Sequence, residues 1–191
     1  TPEFDNLSSF AFSFEVKFNG KQQNNFQTDF NSKGDPFDGK GFDWRVCSQC
    51  SAPYTPEFVV GDVNGNAHGL KTSSSVGVDN KHTLTGNVFS NGIIQIALDG
   101  VVENSIDTGA TLSTGQGDLR LGSYLGLEFV NASFYEACAF KRSLSKSEIT
   151  EISSESCMSV QEGLQKSYQF ESGVDNAIFD SSNGGFETYD S

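Results

Sequence analysis

Between Phe10 and Phe18, the residues Phe10, Phe12, Phe14, Val16 and Phe18 alternate with Ala11, Ser13, Glu15 and Lys17. That period of two is the mark of a strand with one buried face, because successive side chains leave a strand on opposite sides. Shorter runs of the same kind recur at Phe42-Trp44-Val46, Phe58 to Val60, Leu70, Leu84, Ile94-Ile96-Leu98, Val101-Val102, Leu119-Leu121, Phe134 to Phe140 and Tyr168-Phe170. Gly, Asn and Asp separate them at the spacing of a sandwich. Asp99-Gly100 takes the positive φ angles of a tight turn, so Gly92 to Ile106 reads as a hairpin, and Asn64-Gly65 is a second turn. A single helix is expected near residues 146–153, where Ser145 and Glu148 have the spacing of a capping box. The fold class is therefore all-β, a two-sheet antiparallel sandwich with one short helix.

At 191 residues the chain suits one core of this kind. Its net charge of −13, with 12 Lys and Arg against 25 Asp and Glu, argues against nucleic acid as a partner, because phosphate neutralisation needs clustered cations. The acid excess suits solubility, cation binding or contact with neutral sugars. No stretch reaches the roughly 20 apolar residues of a spanning helix, so no membrane insertion is expected. The N-terminus Thr1-Pro2-Glu3-Phe4 has neither a charged leader nor an initiator Met and reads as mature or excerpted protein. Four Cys and the acceptor sequons at Asn6 and Asn131 point to an extracellular or cell-surface chain, glycosylated at those two residues.

Three blocks resemble the laminin-G-like branch of the concanavalin A-like lectin and glucanase superfamily, a jelly roll. Phe10 to Phe18 is similar to its early core strand, and Gly92 to Val102, with Leu98-Asp99-Gly100, to its central hairpin. Leu119-Arg120-Leu121-Gly122-Ser123, Phe134 to Phe140 and then Lys141-Arg142-Ser143-Leu144-Ser145-Lys146-Ser147-Glu148-Ile149 are similar to its closing strands and helix start. The resemblance implies a jelly-roll core over residues 1–160. The family's opening element, an aromatic strand followed by an Asp-Ser-Ser/Gly-Asn-Gly loop, is missing from the start. It is found instead at the end, as Tyr168-Gln169-Phe170 and Asp180-Ser181-Ser182-Asn183-Gly184-Gly185. Residues 161–191 would then complete this sandwich or a neighbour's, through circular permutation, a following repeat or a donated strand. The assembly strand is placed at Tyr168, Phe170, Ile178 and Phe179.

Catalytic chemistry finds little support. The Glu-x-Asp-x-x-Glu run of the superfamily's glucanases, whose paired carboxylates carry out retaining cleavage, is absent. Cys47 and Cys50 form C-x-x-C without the surroundings of a redox motif or the second pair of a zinc site, so they are read with Cys138 and Cys157 as two disulfides. Cys47–Cys50 with Cys138–Cys157 is the favoured pairing among three connectivities, since the latter would staple the helix exit to the strand before it. His68 and His82 stand apart, with no nucleophile motif near either. Asp62, Asn64 and Asn66 offer oxygens at alternating positions as calcium loops do, and Asp35, Asp38 and Asp43 form a second acidic group. Laminin-G-like modules often carry calcium, which makes calcium the one cofactor to consider. Trp44, Tyr54 and Tyr124 are the aromatics weighed for stacking on a sugar, with Trp44 placed in the core by its alternation.

The resulting expectation is a non-enzymatic extracellular structural or adhesive module. It would assemble head to tail, with copies of itself or adjacent repeats, into a filament or array by strand complementation. The second reading is a calcium-assisted, lectin-like carbohydrate-binding module with glycans as partners.

Overall fold

The computed structural model describes residues 4–19, 27–37, 39–47, 54–116, 119–121, 123–124, 128–129, 132–170, 177–180 and 185–188. The strands are β1 (Phe10–Phe18), β2 (Gln27–Asp35), β3 (Lys40–Cys47), β4 (Pro56–Gly61), β5 (Ala67–Lys71), β6 (Lys81–Val88), β7 (Ile93–Leu98) and β8 (Val101–Asp107). They continue as β9 (Leu119–Leu121), β10 (Ser123–Tyr124), β11 (Glu128–Phe129) and β12 (Ala132–Phe140). The helix α1 (Lys146–Ser154) follows, then β13 (Leu164–Gln169), β14 (Ala177–Asp180) and β15 (Gly185–Thr188). One sheet has the order β15-β14-β13-β12-β1-β6-β7-β8 and the other β5-β4-β3-β2-β9, with β10 and β11 as a separate ladder. Every pairing is antiparallel.

The alternation of β1 does what its pattern predicts. Phe10, Phe12, Phe14, Val16 and Phe18 face the second sheet and are buried with Phe42, Trp44, Val46, Phe58, Val60, Leu84, Ile94 and Ile96. The rings interlock in the middle: Phe14 meets Trp44 edge to face at 5.3 Å, and Trp44 lies 5.0 Å from Phe58. Offset and edge-to-face rings of this kind add to the stabilisation from burial alone.

Ala11 and Ser13, expected on a solvated face, are buried as well. The cause is a second, smaller core on the outer side of the larger sheet. Ala11, Ala97, Cys138 and Phe140 pack there under Leu144, Ile149 and Ile152 from the α1 region. Asn87, fully buried, ties Leu144 down as a neighbouring strand would: its Nδ2 donates to the Leu144 carbonyl at 2.9 Å and its Oδ1 accepts the Leu144 N–H at 2.8 Å.

The helix begins at the expected place. Ser145 caps it and Glu148 closes the box, while the Arg142 guanidinium donates to both Glu148 oxygens. Arg142 Nε also donates to the Glu162 carbonyl, so one side chain joins the helix start to the turn before β13. The Asp99-Gly100 turn has φ of 50° and 79°, as a two-residue hairpin requires, and Gly100 sits directly beneath α1. Cys138 and Cys157 form a disulfide that ties β12 to the short 3-10 turn after the helix.

The C-terminal segment, expected to complete this sandwich or a neighbour's, opens with β13. β13 runs beside β12 in the sheet of its own chain, and Tyr168 and Phe170 pack half-buried on that chain's main core. β12 would otherwise be an open edge, and the inward alternation of Ala137 and Ala139 continues onto Tyr168, so pairing in cis satisfies both backbone and side chains. Ile178 and Phe179 lie on β14, the next strand out.

Candidate functional site

The smaller sheet turns one face to the main core and the other away from it. Cross-strand register sets which side chains share that second face: Phe42 pairs Val60 and Trp44 pairs Phe58 on the core side, so Asp43 with Val59 and Arg45 with Glu57 lie on the other, where Asp43 and Val59 are buried and Arg45 and Glu57 largely so. Glu57 in turn pairs Lys71. Arg45, Glu57 and Lys71 therefore form one rung across β3, β4 and β5. Arg45 Nε donates to Glu57 Oε2 at 3.0 Å, with Lys71 Nζ at 3.9 Å from the same oxygen.

A strap between β2 and β3 leans over this face. Asp35 Oδ1 accepts the Phe37 N–H at 2.8 Å, fixing the turn, and Pro36 is buried. Phe37 stands out at 49% exposure, with the Arg45 guanidinium carbon 5.1 Å from its ring centroid. The strap can sit this low because Gly61 has no side chain: a Cβ there would lie 2.6 Å from the Gly39 carbonyl oxygen and 3.0 Å from that of Pro36. Gly39, at φ 121°, packs in turn against the Asp62 to Asn66 turn, and a Cβ on it would meet Gly65 Cα at 3.2 Å.

Asp62 is buried in that turn, and its carboxylate accepts four hydrogen bonds. Oδ1 takes the N–H groups of Asn64 at 2.7 Å and Asn66 at 3.0 Å; Oδ2 takes Asn66 Nδ2 at 3.0 Å and His68 Nε2 at 3.1 Å. The Asn66 N–H above all, with the Asn66 amide, His68 and the Asn64 N–H, holds this carboxyl well below the usual carboxylate range against the opposing effect of burial. Asp62, Asn64 and Asn66 thus lie together, but the carboxylate is turned inward to its own loop. Among the described residues no group of three or more His, Cys, Asp or Glu side chains converges as a metal site would.

The remaining sites disperse. Asn6 is exposed at φ 55°, with Ser8 exposed beside it, and its N–H donates to the Gly115 carbonyl. Asn131, Asp38 and Cys50 lie outside the described residues, and with Cys50 the Cys47–Cys50 pairing. Asp43 is buried in β3. His82 Nδ1 is 2.9 Å from Asp99 Oδ2, so each histidine serves an aspartate of a nearby turn. Trp44 and Tyr54 are both core residues and present no face to a ligand. Strand pairing also brings Glu15 opposite Glu136, a pair the sequence reading did not foresee. Glu136 is occupied by Ser156 Oγ and the Cys157 N–H, and Glu15 by Lys81.

Phe37 and the Arg45–Glu57–Lys71 rung were missed altogether. The signal for Phe37 was a ring between Pro36 and Asp38-Gly39, outside any alternating run; the rung depends on register between three strands and had no local signal.

No protein-family model and no curated protein matches the sequence. Solved structures match the fold. A candidate carbohydrate-binding protein from Bacteroides ovatus aligns at TM-score 0.68 and 11% identity, over 97% of this chain and 55% of that one. A native heptameric SAP-like pentraxin from Limulus polyphemus aligns at 0.59 and 7%, over 78% and 71%. The chain folds as the β-sandwich jelly roll that these structures share. Botulinum neurotoxin type C, in a structure whose subject is cell entry dependent on two ganglioside molecules, aligns at 0.53 and 14% identity. The jelly roll covers 76% of this chain there and 35% of the toxin chain, so this chain spans about half of the Bacteroides protein and about a third of the toxin chain.

Proposed function

We propose that this jelly roll is an extracellular carbohydrate-binding module, without hydrolytic activity, that holds a glycan at the exposed Phe37 ring on the strap over its smaller sheet. The observation that carries this reading is Phe37, a half-exposed ring braced by Arg45 beside Glu57 and Lys71. Sugar rings offer apolar C–H faces and a rim of hydroxyls. An aromatic plane next to a donor and an acceptor fixed on one rung matches both features, and such sites combine apolar surface with a few well-placed polar groups. The solved structures that share the fold add support, since two of them concern carbohydrate or ganglioside recognition. The pairing of β13 with β12 in its own chain supports a self-completed module over a filament built by strand donation.

The test is a broad glycan array followed by titration calorimetry on the retained glycans. Phe37→Ala should weaken binding roughly tenfold or more, the worth of one good ring contact at about 1.4 kcal/mol, with the thermal midpoint little changed. No retention anywhere on the array, or equal binding by Phe37→Ala, would overturn the reading.

A further inference from the structure

The turn from Asp62 to Asn66 has the spacing of a cation loop, yet its geometry serves another purpose. A carboxylate has about four lone-pair positions, and four protein donors already address those of Asp62. The Asn66 amide has one attractive orientation there, with its NH2 toward Asp62 Oδ2, which turns its oxygen away. Calcium needs six to eight oxygens around one point, and this loop directs its N–H groups at the one buried carboxylate instead.

What the turn does support is the strap. Its backbone is closed by Asp62 N–H to the Asn66 carbonyl at 2.9 Å and Gly65 N–H to the Asp62 carbonyl at 3.3 Å. It is anchored from outside by Val63 N–H to Thr111 at 3.0 Å. Gly39 rests on Gly65, and the Pro36 and Gly39 carbonyls rest on Gly61, the residue just before Asp62. Phe37 is carried between these two contacts, so its position over Arg45 depends on a turn it does not touch chemically.

We propose that Asp62 is a positioning residue for the ligand site: the turn it closes is the bearing that sets the Phe37 strap, and binding at this face needs no divalent cation. The inference rests on the glycan reading for its ligand, but the placement of Phe37 can be measured without one. A strap held in its bound position before the ligand arrives spares the ordering cost on association, which is how a positioning residue alters affinity.

The experiment places 4-fluorophenylalanine at position 37 alone and follows its fluorine resonance, with glycan affinity measured in parallel. In Asp62→Ala the resonance should sharpen and move toward that of the free amino acid, with affinity about tenfold weaker. Gly61→Ala, which pushes on the strap from beneath, should do the same. Asn66→Ala, which removes one of the four donors, should give a smaller shift in a fold that melts as the parent does. Calcium added to the parent, or its removal by chelator, should leave both the resonance and the affinity unchanged. An unmoved resonance in Asp62→Ala and Gly61→Ala, or a calcium-dependent shift in the parent, would overturn the proposal. Should Asp62→Ala fail to fold, Gly61→Ala and Asn66→Ala decide it. If no glycan binds while the resonance shifts as expected, the positioning role stands and the glycan reading falls.

Discussion

At the scale of single residues, the chain spends its carboxylates on its own turns. Asp62, Asp35 and Glu148 each accept backbone N–H groups of a turn or helix start, and Asp99, in its own turn, accepts the Thr83 N–H of neighbouring β6. Glu148 is the clearest case, because one side chain closes the capping box and receives the Arg142 fork. Arg142 first, with Ser145 behind it, draws the Glu148 pKa down from 4.5 to about 2, against the effect of burial. A carboxyl lowered on folding stabilises the native state above its unfolded pKa, and that contribution fades as pH falls toward the folded value. Glu148→Gln, which keeps an acceptor at this capping-box position but removes the charge facing Arg142, should therefore cost about 1–2 kcal/mol at neutral pH, as losing a charge-assisted hydrogen bond does. The difference from the parent should shrink between about pH 4.5 and 2. Thermal melts of both proteins across that range check it; a gap that stays constant with pH would show that the charge is not the cause. The same spending explains why Asp62 misled the sequence reading. Oxygen at positions 62, 64 and 66 is the pattern of a cation loop, and it is equally that of an aspartate accepting N–H groups two and four residues on. Only the direction of the donors separates the two.

At the scale of elements, helix and hairpin hold each other. The Gly100 carbonyl accepts Thr150 Oγ1 at 3.2 Å, and a Cβ on Gly100 would lie 3.0 Å from that of Ser153. With φ at 79° the position also disfavours any side chain. Gly100→Ala thus adds strain and a collision under α1, and should destabilise the protein by about 1–3 kcal/mol. Hydrogen exchange should quicken in Lys146–Ser154 more than in β1 or β6, since the helix can lift while the sheet remains. Uniform loss of protection would mean that the outer core and the main core unfold as one. β7, β8 and α1 were legible because each carries its own turn or cap chemistry. β2 was not: Gln27–Asp35 holds Phe30 among polar residues, and it is a strand because β3 and β9 pair with it on either side. Phe37 was lost with it, since without β2 the segment before Lys40 read as an acidic loop.

For the molecule as a whole, the remaining question is whether the strand after the helix acts at home or abroad. In the sequence, the end of the chain resembles the first strand of laminin-G-like domains, but order along a chain does not say which copy that strand joins. Register does. Ala137 pairs Tyr168 and Cys138 pairs Ser167 within one chain, and the Phe134 and Phe170 rings approach to 6.4 Å. In this arrangement Tyr168 and Phe170 stabilise the monomer, whereas a donated strand would stabilise an assembly. Tyr168→Ala and Phe170→Ala should each lower stability by about 1–3 kcal/mol, below the cost of a fully buried ring because both are half-buried. Sedimentation should give one monomeric species for the parent and both variants, at every concentration tried. Assemblies in the parent that disappear in the variants, with unchanged melting of the residual monomer, would mean that β13 pairs between copies. A concentration-independent loss of stability without change of mass is the outcome that a self-completed jelly roll requires, because rings packed on their own chain's core stabilise a monomer whatever its concentration.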